Sequence, residues 1–244
     1  MALKGKRIVV VGGASGIGRA TVSAIAEAGA TIVIGDINEE LGASIAGATG
    51  SAFLPVDLAK PDSIDSFCEA LLAQPGQIDG FVYSAGWNKA QTFLDTEPGF
   101  WDAVMGINLM GLIRVTHRIL PRMIESGSGK IVNISSDAGR VGSGGEAVYS
   151  AAKGGVMGFT KAMARELARH RINVNCVCPG PTDTPLYQAS APPKMQEALA
   201  RAIPFRRVAQ PEEVAGAVLY FLSEQSSYVT GQVLSVSGGL TMAG

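Results

Sequence analysis

The sequence predicts a doubly wound α/β fold, a parallel sheet of about seven strands with helices on both faces. Three observations carry this. Short runs that are apolar along their whole length recur through the chain: RIVVV (7–11), TIVIG (31–35), SAFLPV (51–56), GFVYS (80–84), KIVNIS (130–135), INVNCV (172–177) and QVLSV (232–236). Most are separated by stretches with helical spacing of apolar residues, such as IGRATVSAIAEAGA and PDSIDSFCEALLA. The first run ends directly in a glycine-rich turn, VGGASGIGRA (11–20). Strands without polar alternation are buried on both faces, and right-handed crossovers place the intervening helices above and below such a sheet.

Taken in order, the first strand is RIVVV, and the turn after it carries Gly12, Gly16 and Gly18 in a GxxxGxG spacing. Glycine at a strand–helix junction turns the backbone sharply and leaves room for a pyrophosphate, which the free N–H groups of the next helix hold. Ser15 adds a hydroxyl to that nest. A glycine-rich turn alone is also an ordinary turn. The second strand, however, ends in Asp36, twenty residues past Gly16. An acidic group there binds both ribose hydroxyls of an adenosine and repels a 2′-phosphate. No Lys or Arg lies between Ala14 and Gly18 or between Asp36 and Leu41, so the expected cofactor is NAD and not NADP.

The later elements alternate as expected up to residues 181–204, PTDTPLYQASAPPKMQEALARAIP. This Pro- and Ala-rich stretch sits between the sixth strand and a helix starting near Pro211, and is expected to be a lid or substrate-binding loop. With no linker, repeat or low-complexity segment, one domain over residues 1–244 is expected.

Composition narrows the function. The chain has 244 residues, 47% of them hydrophobic, enough for one well-buried core. Twenty basic and 21 acidic residues give a net charge of −1 without long runs of either sign, which argues against a nucleic-acid or membrane surface. The N-terminus enters a strand almost at once, unlike a signal peptide, and no segment reads as a bilayer span, so the expected location is the cytosol. Cys68, Cys176 and Cys178 make a poor disulfide framework. Cys176 and Cys178 share one face of a strand, and with only His117 and His170 elsewhere they read as buried thiols, with no metal site.

A second constellation lies in VYSAAKGGV (148–156). Tyr149 and Lys153 are four residues apart, on one face of a helix, and Ser136 follows directly on the strand KIVNIS, thirteen residues before Tyr149. Strand C-terminal ends border the ligand crevice of a doubly wound sheet, so all three can meet there. A free phenol has a pKa of about 10, and a neighbouring ammonium favours its ionised form, which suits it to take an alcohol proton.

Over essentially its full length the sequence resembles the short-chain dehydrogenase/reductase family. The matching stretches are VGGASGIG, Asp36, VDL with Asp57, SAG (84–86), NLMG with Asn108, NISS ending at Ser136, YSAAK, PGPTDT (179–184) and VTGQVLSVSGG. The resemblance implies a Rossmann fold and an NAD-dependent oxidoreductase acting on CH–OH groups. It implies Tyr149 as general acid/base, Lys153 as its activator, Ser136 as the hydroxyl orienting the reacting oxygen, and Asn108 as support for a water-mediated proton relay. Along the cofactor it places Gly12, Ser15, Gly16, Ile17, Gly18, Asp36, Ile37, Asp57, Leu58, Ser84, Ala85, Gly86, Pro179, Gly180, Thr182 and Thr184, with Tyr149 and Lys153. Asp57 is implied at the adenine and Thr184 at the nicotinamide carboxamide. Val11 and Ser84 depart from the family's usual threonine and asparagine, which brace the crevice by hydrogen bonds.

The stretches 136–155, 178–184, 85–89 and 231–244 are similar to 2-hydroxycyclohexanecarboxyl-CoA dehydrogenases of alicyclic and aromatic acid breakdown. This implies oxidation of a cyclic 2-hydroxyacyl-CoA to its keto thioester. Cations for the CoA phosphates would come from Arg140, Lys194, Arg201, Arg206 and Arg207, and Trp87 and Tyr187 would flank a ring. The alternatives are a 3-oxoacyl thioester reductase, a dehydrogenase of free secondary alcohols, or a catalytically silent subunit. The family further implies a homo-oligomer, commonly a tetramer, built partly from helices at about 98–123 and 149–169.

Overall fold

In the computed structural model, residues 2–190 and 193–242 are described. They form a seven-stranded parallel sheet in the order β3-β2-β1-β4-β5-β6-β7. The strands are β1 Arg7–Val11, β2 Thr31–Asp36, β3 Ala52–Pro55, β4 Gly80–Tyr83, β5 Gly129–Ile134, β6 Ile172–Pro179 and β7 Val233–Val236. The helices are α1 Gly16–Glu27, α2 Glu39–Thr49, α3 Pro61–Ala73, α4 Pro98–Met105, α5 Gly111–Glu125, α6 Asp137–Val141, α7 Ala147–Leu167, α8 Pro185–Ser190, α9 Pro193–Ala202 and α10 Pro211–Leu222.

Alternation along β1 explains the layers. Ile8 and Val10 point to one side, where they join Val22 and Ile25 of α1 and Val214, Val218 and Phe221 of α10. Val9 and Val11 point to the other, against Phe67 and Leu71 of α3, Leu112, Val115 and Ile119 of α5, and Val156 of α7. Both sheet faces are therefore dry, which is why the strands carry no polar alternation. The strand order reverses between β1 and β4, both of which pair with parallel neighbours at Val9↔Val33 and Val9↔Phe81. A crevice at the strand C-terminal ends follows from that reversal.

One expectation is corrected here. Residues 181–204 are helical over much of their length, as α8 and α9, rather than a loop. Each helix opens on a proline, which is pre-set for the first helical position, and continues in good helix formers such as Leu, Gln, Glu and Ala. Ala191 and Pro192 of that stretch lie outside the described residues. Pro98–Glu125 is one 28-residue helical run whose length and composition alone would also suit a bilayer span. Its apolar stripe, Leu112, Val115, Ile119 and Met123, is spent on the sheet. Arg114, Arg118 and Arg122 fall elsewhere on the same helix, the pattern of a core-packing amphipathic helix. Between α4 and α5, Gly106–Met110 forms a π-helical turn.

Candidate active site

The turn after β1 is built as a cradle. Gly12 has φ +81°, and a Cβ there would lie 2.4 Å from the Ala85 nitrogen. A Cβ on Gly18 would lie 1.8 Å from the Gly12 carbonyl oxygen, so α1 packs against the turn backbone to backbone. α1 begins at Gly16, and Ser15 before it makes no side-chain cap bond, which leaves the first-turn N–H groups for an anion. Asp36 ends β2 with both carboxylate oxygens engaged. Oδ2 accepts from the Ala14 N–H at 2.9 Å and Oδ1 from the Asn38 N–H at 3.0 Å. Asp57 accepts from the Ala59 N–H at 3.0 Å and pairs with Lys60 at 2.9 Å; the Lys60 contacts hold its carboxyl below the usual range. At Val11 and Ser84 the strand ends are joined by backbone, Ser84 N–H donating to the Val11 carbonyl at 2.8 Å.

A single cleft of about 850 Å³ runs from this cradle across the sheet. Gly12, Ser15, Gly16, Ile17, Gly18, Asp36, Ile37, Asp57 and Leu58 line one end. Ser84, Ala85, Gly86, Pro179, Gly180, Thr182 and Thr184 line the middle, and Ser136, Tyr149 and Lys153 line the other end. A turn only glycine fits, uncapped helix N–H groups and a carboxylate at the second strand together fit a dinucleotide.

Asn108 differs. It is fully buried beneath the wall, in the π-helical turn. Its Nδ2 donates to the carbonyls of Val104 at 2.8 Å and Trp87 at 2.7 Å, and its Oδ1 accepts from the Trp87 N–H at 3.3 Å. No spacing rule in the sequence announces it.

Tyr149 stands in the first turn of α7 and Lys153 one turn later, only 2% exposed. The Ser135 hydroxyl donates to the Lys153 carbonyl at 2.7 Å and docks α7 on the end of β5. Lys153 Nζ donates to the Ile134 carbonyl at 3.0 Å and lies 5.6 Å from the Tyr149 ring centroid. Burial pulls the Lys153 ammonium down to about 8. Burial also pushes the Tyr149 phenol up, the Glu146 carboxylate adds to that, and the Ser136 hydroxyl partly offsets it. Lys153 alone does not offset this burial; the lowering expected for the phenol draws on the positive nicotinamide ring as well. Desolvation outweighs an ammonium that sits over the ring rather than at the phenolic oxygen.

The cations expected for CoA phosphates do not line the cleft. Arg140 donates to the Val233 carbonyl. Arg201 pairs with Glu197 at 3.6 Å, and Arg206 donates to the Arg201 carbonyl. Arg207 grips both oxygens of Glu213 at 2.6 Å, and Lys194 is exposed. Nearby acids and carbonyls satisfy the arginines locally. Trp87 and Tyr187 do line the cleft, with Leu186 and Leu199 of the 181–204 stretch. Glu146 accepts from Asn88 Nδ2 at 2.7 Å and not from Arg140. Cys176 and Cys178 face one another at 4.0 Å between sulfurs, both buried. Among the described residues no cluster of three metal-ligating side chains is found.

Residues 12–241 match the family model described as enoyl-(acyl carrier protein) reductase. The 3-oxoacyl-(acyl-carrier-protein) reductase FabG of Thermotoga maritima is 40% identical over 250 residues, 99% of this chain and all of that protein. The chain belongs to the short-chain dehydrogenase/reductase family. As a short-chain dehydrogenase/reductase it is also 42% identical, over 190 residues, to the acetoacetyl-CoA reductase of an Acinetobacter species, covering 78% of this chain and 76% of that protein. Levodione reductase, a solved structure, superposes with a TM-score of 0.92 at 29% identity over 97% of both chains.

Proposed function

We propose that this chain interconverts a 3-hydroxyacyl thioester and the 3-oxoacyl thioester, using NAD(H), with Tyr149, Ser136, Lys153 and Asn108 as the proton-handling set. The observation that carries the reading is one cleft holding the glycine turn and Asp36 at one end and Ser136, Tyr149 and Lys153 at the other. The substrate class follows the relatives, since FabG and acetoacetyl-CoA reductase are both named for 3-oxoacyl thioesters. Asp36 supports NAD, because a carboxylate at the end of β2 would meet a 2′-phosphate with like charge.

A nicotinamide dinucleotide bound in the cleft supplies or accepts the hydride. The chain's own residues manage the proton. In the reductive direction Tyr149 gives its phenolic proton to the ketone oxygen, and the Ser136 hydroxyl holds that oxygen in line. Lys153, with its ammonium near 8, exchanges a proton close to neutral pH and resupplies the phenol. Asn108 is held rigidly by three hydrogen bonds and supports the path from Lys153 to water.

A ring-bearing substrate of the 2-hydroxycyclohexanecarboxyl-CoA type is the second reading. Trp87, Val141, Leu186, Tyr187 and Leu199 on the cleft wall favour it, as a surface wide and apolar enough for a cyclohexane. The test is NADH oxidation at 340 nm with acetoacetyl-CoA and with the cyclic keto thioester, beside simple cyclohexanones. Tyr149→Phe is expected to lower turnover by at least about 100-fold. Turnover of free ketones alone removes the thioester from this account, and a Tyr149→Phe enzyme of full activity removes the proposed acid.

A further inference from the structure

Carboxylates line both ends of the cleft. At the cradle end these are Asp36 and Asp57, the latter answered by Lys60. At the catalytic end the charged wall residues are Asp137, Glu146 and Lys153, and among the described residues no arginine joins them. Lys153 Nζ donates to the Ile134 carbonyl and lies over the Tyr149 ring, 5.6 Å from its centroid, whereas Glu146 is fixed by a neutral partner. Asp137, next to Ser136 and 5% exposed, accepts from the Ser235 hydroxyl at 2.6 Å through one oxygen, while its other oxygen is buried without a hydrogen-bond partner.

Glu146 stands three residues ahead of Tyr149, immediately before α7. The Asn88 amide, 58 residues away in the chain, donates to its Oε1 and fixes the carboxylate on the wall. The Asn88 Oδ1 is itself a buried acceptor without a partner. The wall therefore presents the Glu146 carboxylate to whatever lies beside Tyr149. An acid group two carbons from a reacting carbonyl cannot leave the chamber when that carbonyl reaches Tyr149, so its charge state matters here.

We propose that Glu146 is a specificity-determining residue that rejects free 3-oxo and 3-hydroxy acids and admits substrates whose acyl group is masked as an uncharged thioester, ester or amide. This rests on the function proposed above and narrows it to neutral acyl groups. Like charges a few ångströms apart in a half-buried site disfavour binding by about 10- to 100-fold, and discrimination of this kind comes from repulsion rather than from a better fit to the right substrate.

The experiment uses the full chain with NADH and three probes: acetoacetyl-CoA, ethyl acetoacetate and acetoacetate. The last two share a skeleton and differ in charge. Each is scored by kcat/KM, or by Ki against acetoacetyl-CoA where its turnover is too slow to follow. Wild type is expected to prefer the ester over the acid, Glu146→Gln to narrow that ratio by about 10-fold or more, and Glu146→Asp to retain it. Glu146 also pushes the Tyr149 phenol up, but that acts on both compounds and cancels in the ratio. Glu146→Ala gives a second removal of the charge should the Gln variant not fold. Reduction of acetoacetyl-CoA together with an unmoved ester-to-acid ratio overturns this inference alone. No reduction of acetoacetyl-CoA by wild type overturns the proposed function, and this inference with it.

Discussion

Lys153→Met is expected to stabilise the protein near neutral pH, by an amount that shrinks as pH rises. Lys153 is 2% exposed, and burial lowers its ammonium from 10.5 to about 8. Below about pH 8 the ammonium is charged in both folded and unfolded chains, and the folded state carries the full cost of burying it. Between about pH 8 and 10.5 the unfolded chain binds more protons than the folded one, so wild-type stability rises with pH across that window. At 1.36 kcal/mol per unit the cost is about 3 kcal/mol at pH 7 and about 1.4 kcal/mol at pH 9.5. Methionine fills similar space without the charge and loses the bond to the Ile134 carbonyl, worth about 1 kcal/mol. That loss does not depend on pH. Denaturant unfolding of both proteins at the two pH values should therefore show the Met variant's advantage falling by about 2 kcal/mol from pH 7 to pH 9.5. A gap that does not change with pH refutes the claim that Lys153 is buried as a charged group.

Two further outcomes follow from the cradle. Asp36→Ala should lower the preference for NAD over NADP by about 10-fold or more, read as the ratio of kcat/KM values, and an unchanged ratio would mean the ribose is bound elsewhere. Gly18→Ala should lose about 3 kcal/mol or more in denaturant unfolding, since the new methyl would overlap the Gly12 carbonyl, whereas Gly47→Ala on the open face of α2 should gain about 0.5–1 kcal/mol; equal effects at both positions would contradict the packing described for α1.

Much of this architecture is legible in the chain because burial on two faces leaves a plain mark. RIVVV, GFVYS and KIVNIS read as strands through their unbroken apolarity, and each lies in the sheet within a residue of its expected bounds. Glycines 12, 16 and 18 mark the sharp strand–helix turn, and at Gly12 and Gly18 a Cβ would overlap Ala85 and the Gly12 carbonyl, so the turn also packs backbone to backbone. The misread parts depend on partners far along the chain or on competing local effects. Prolines in 181–204 suggested a loop, yet proline is also a good first helical residue, and α8 and α9 use it so. The arginines suggested phosphate binding, but a carboxylate one helical turn away, as Glu197 is from Arg201, satisfies them at home. Glu146 and Asn88 meet only because β4 and α7 fold together, and no local spacing carries that contact.

The two-way bond between Asn108 and the Trp87 peptide reaches beyond its own geometry. Trp87 packs its indole on Phe100 of α4, with centroids 5.7 Å apart, and faces the chamber where an acyl group would lie. The same residue's backbone clamps the Asn108 amide, which lies with Lys153 Nζ against Gly86. With Asn108 and Lys153 handling the proton as proposed, shape recognition and proton supply share one joint. A lineage adapting this cleft to a bulkier or slimmer acyl chain by altering the segment around Trp87 would then disturb turnover along with selectivity, whereas α8 and α9 bring Leu186, Tyr187 and Leu199 to the same cleft from a separate segment of the chain.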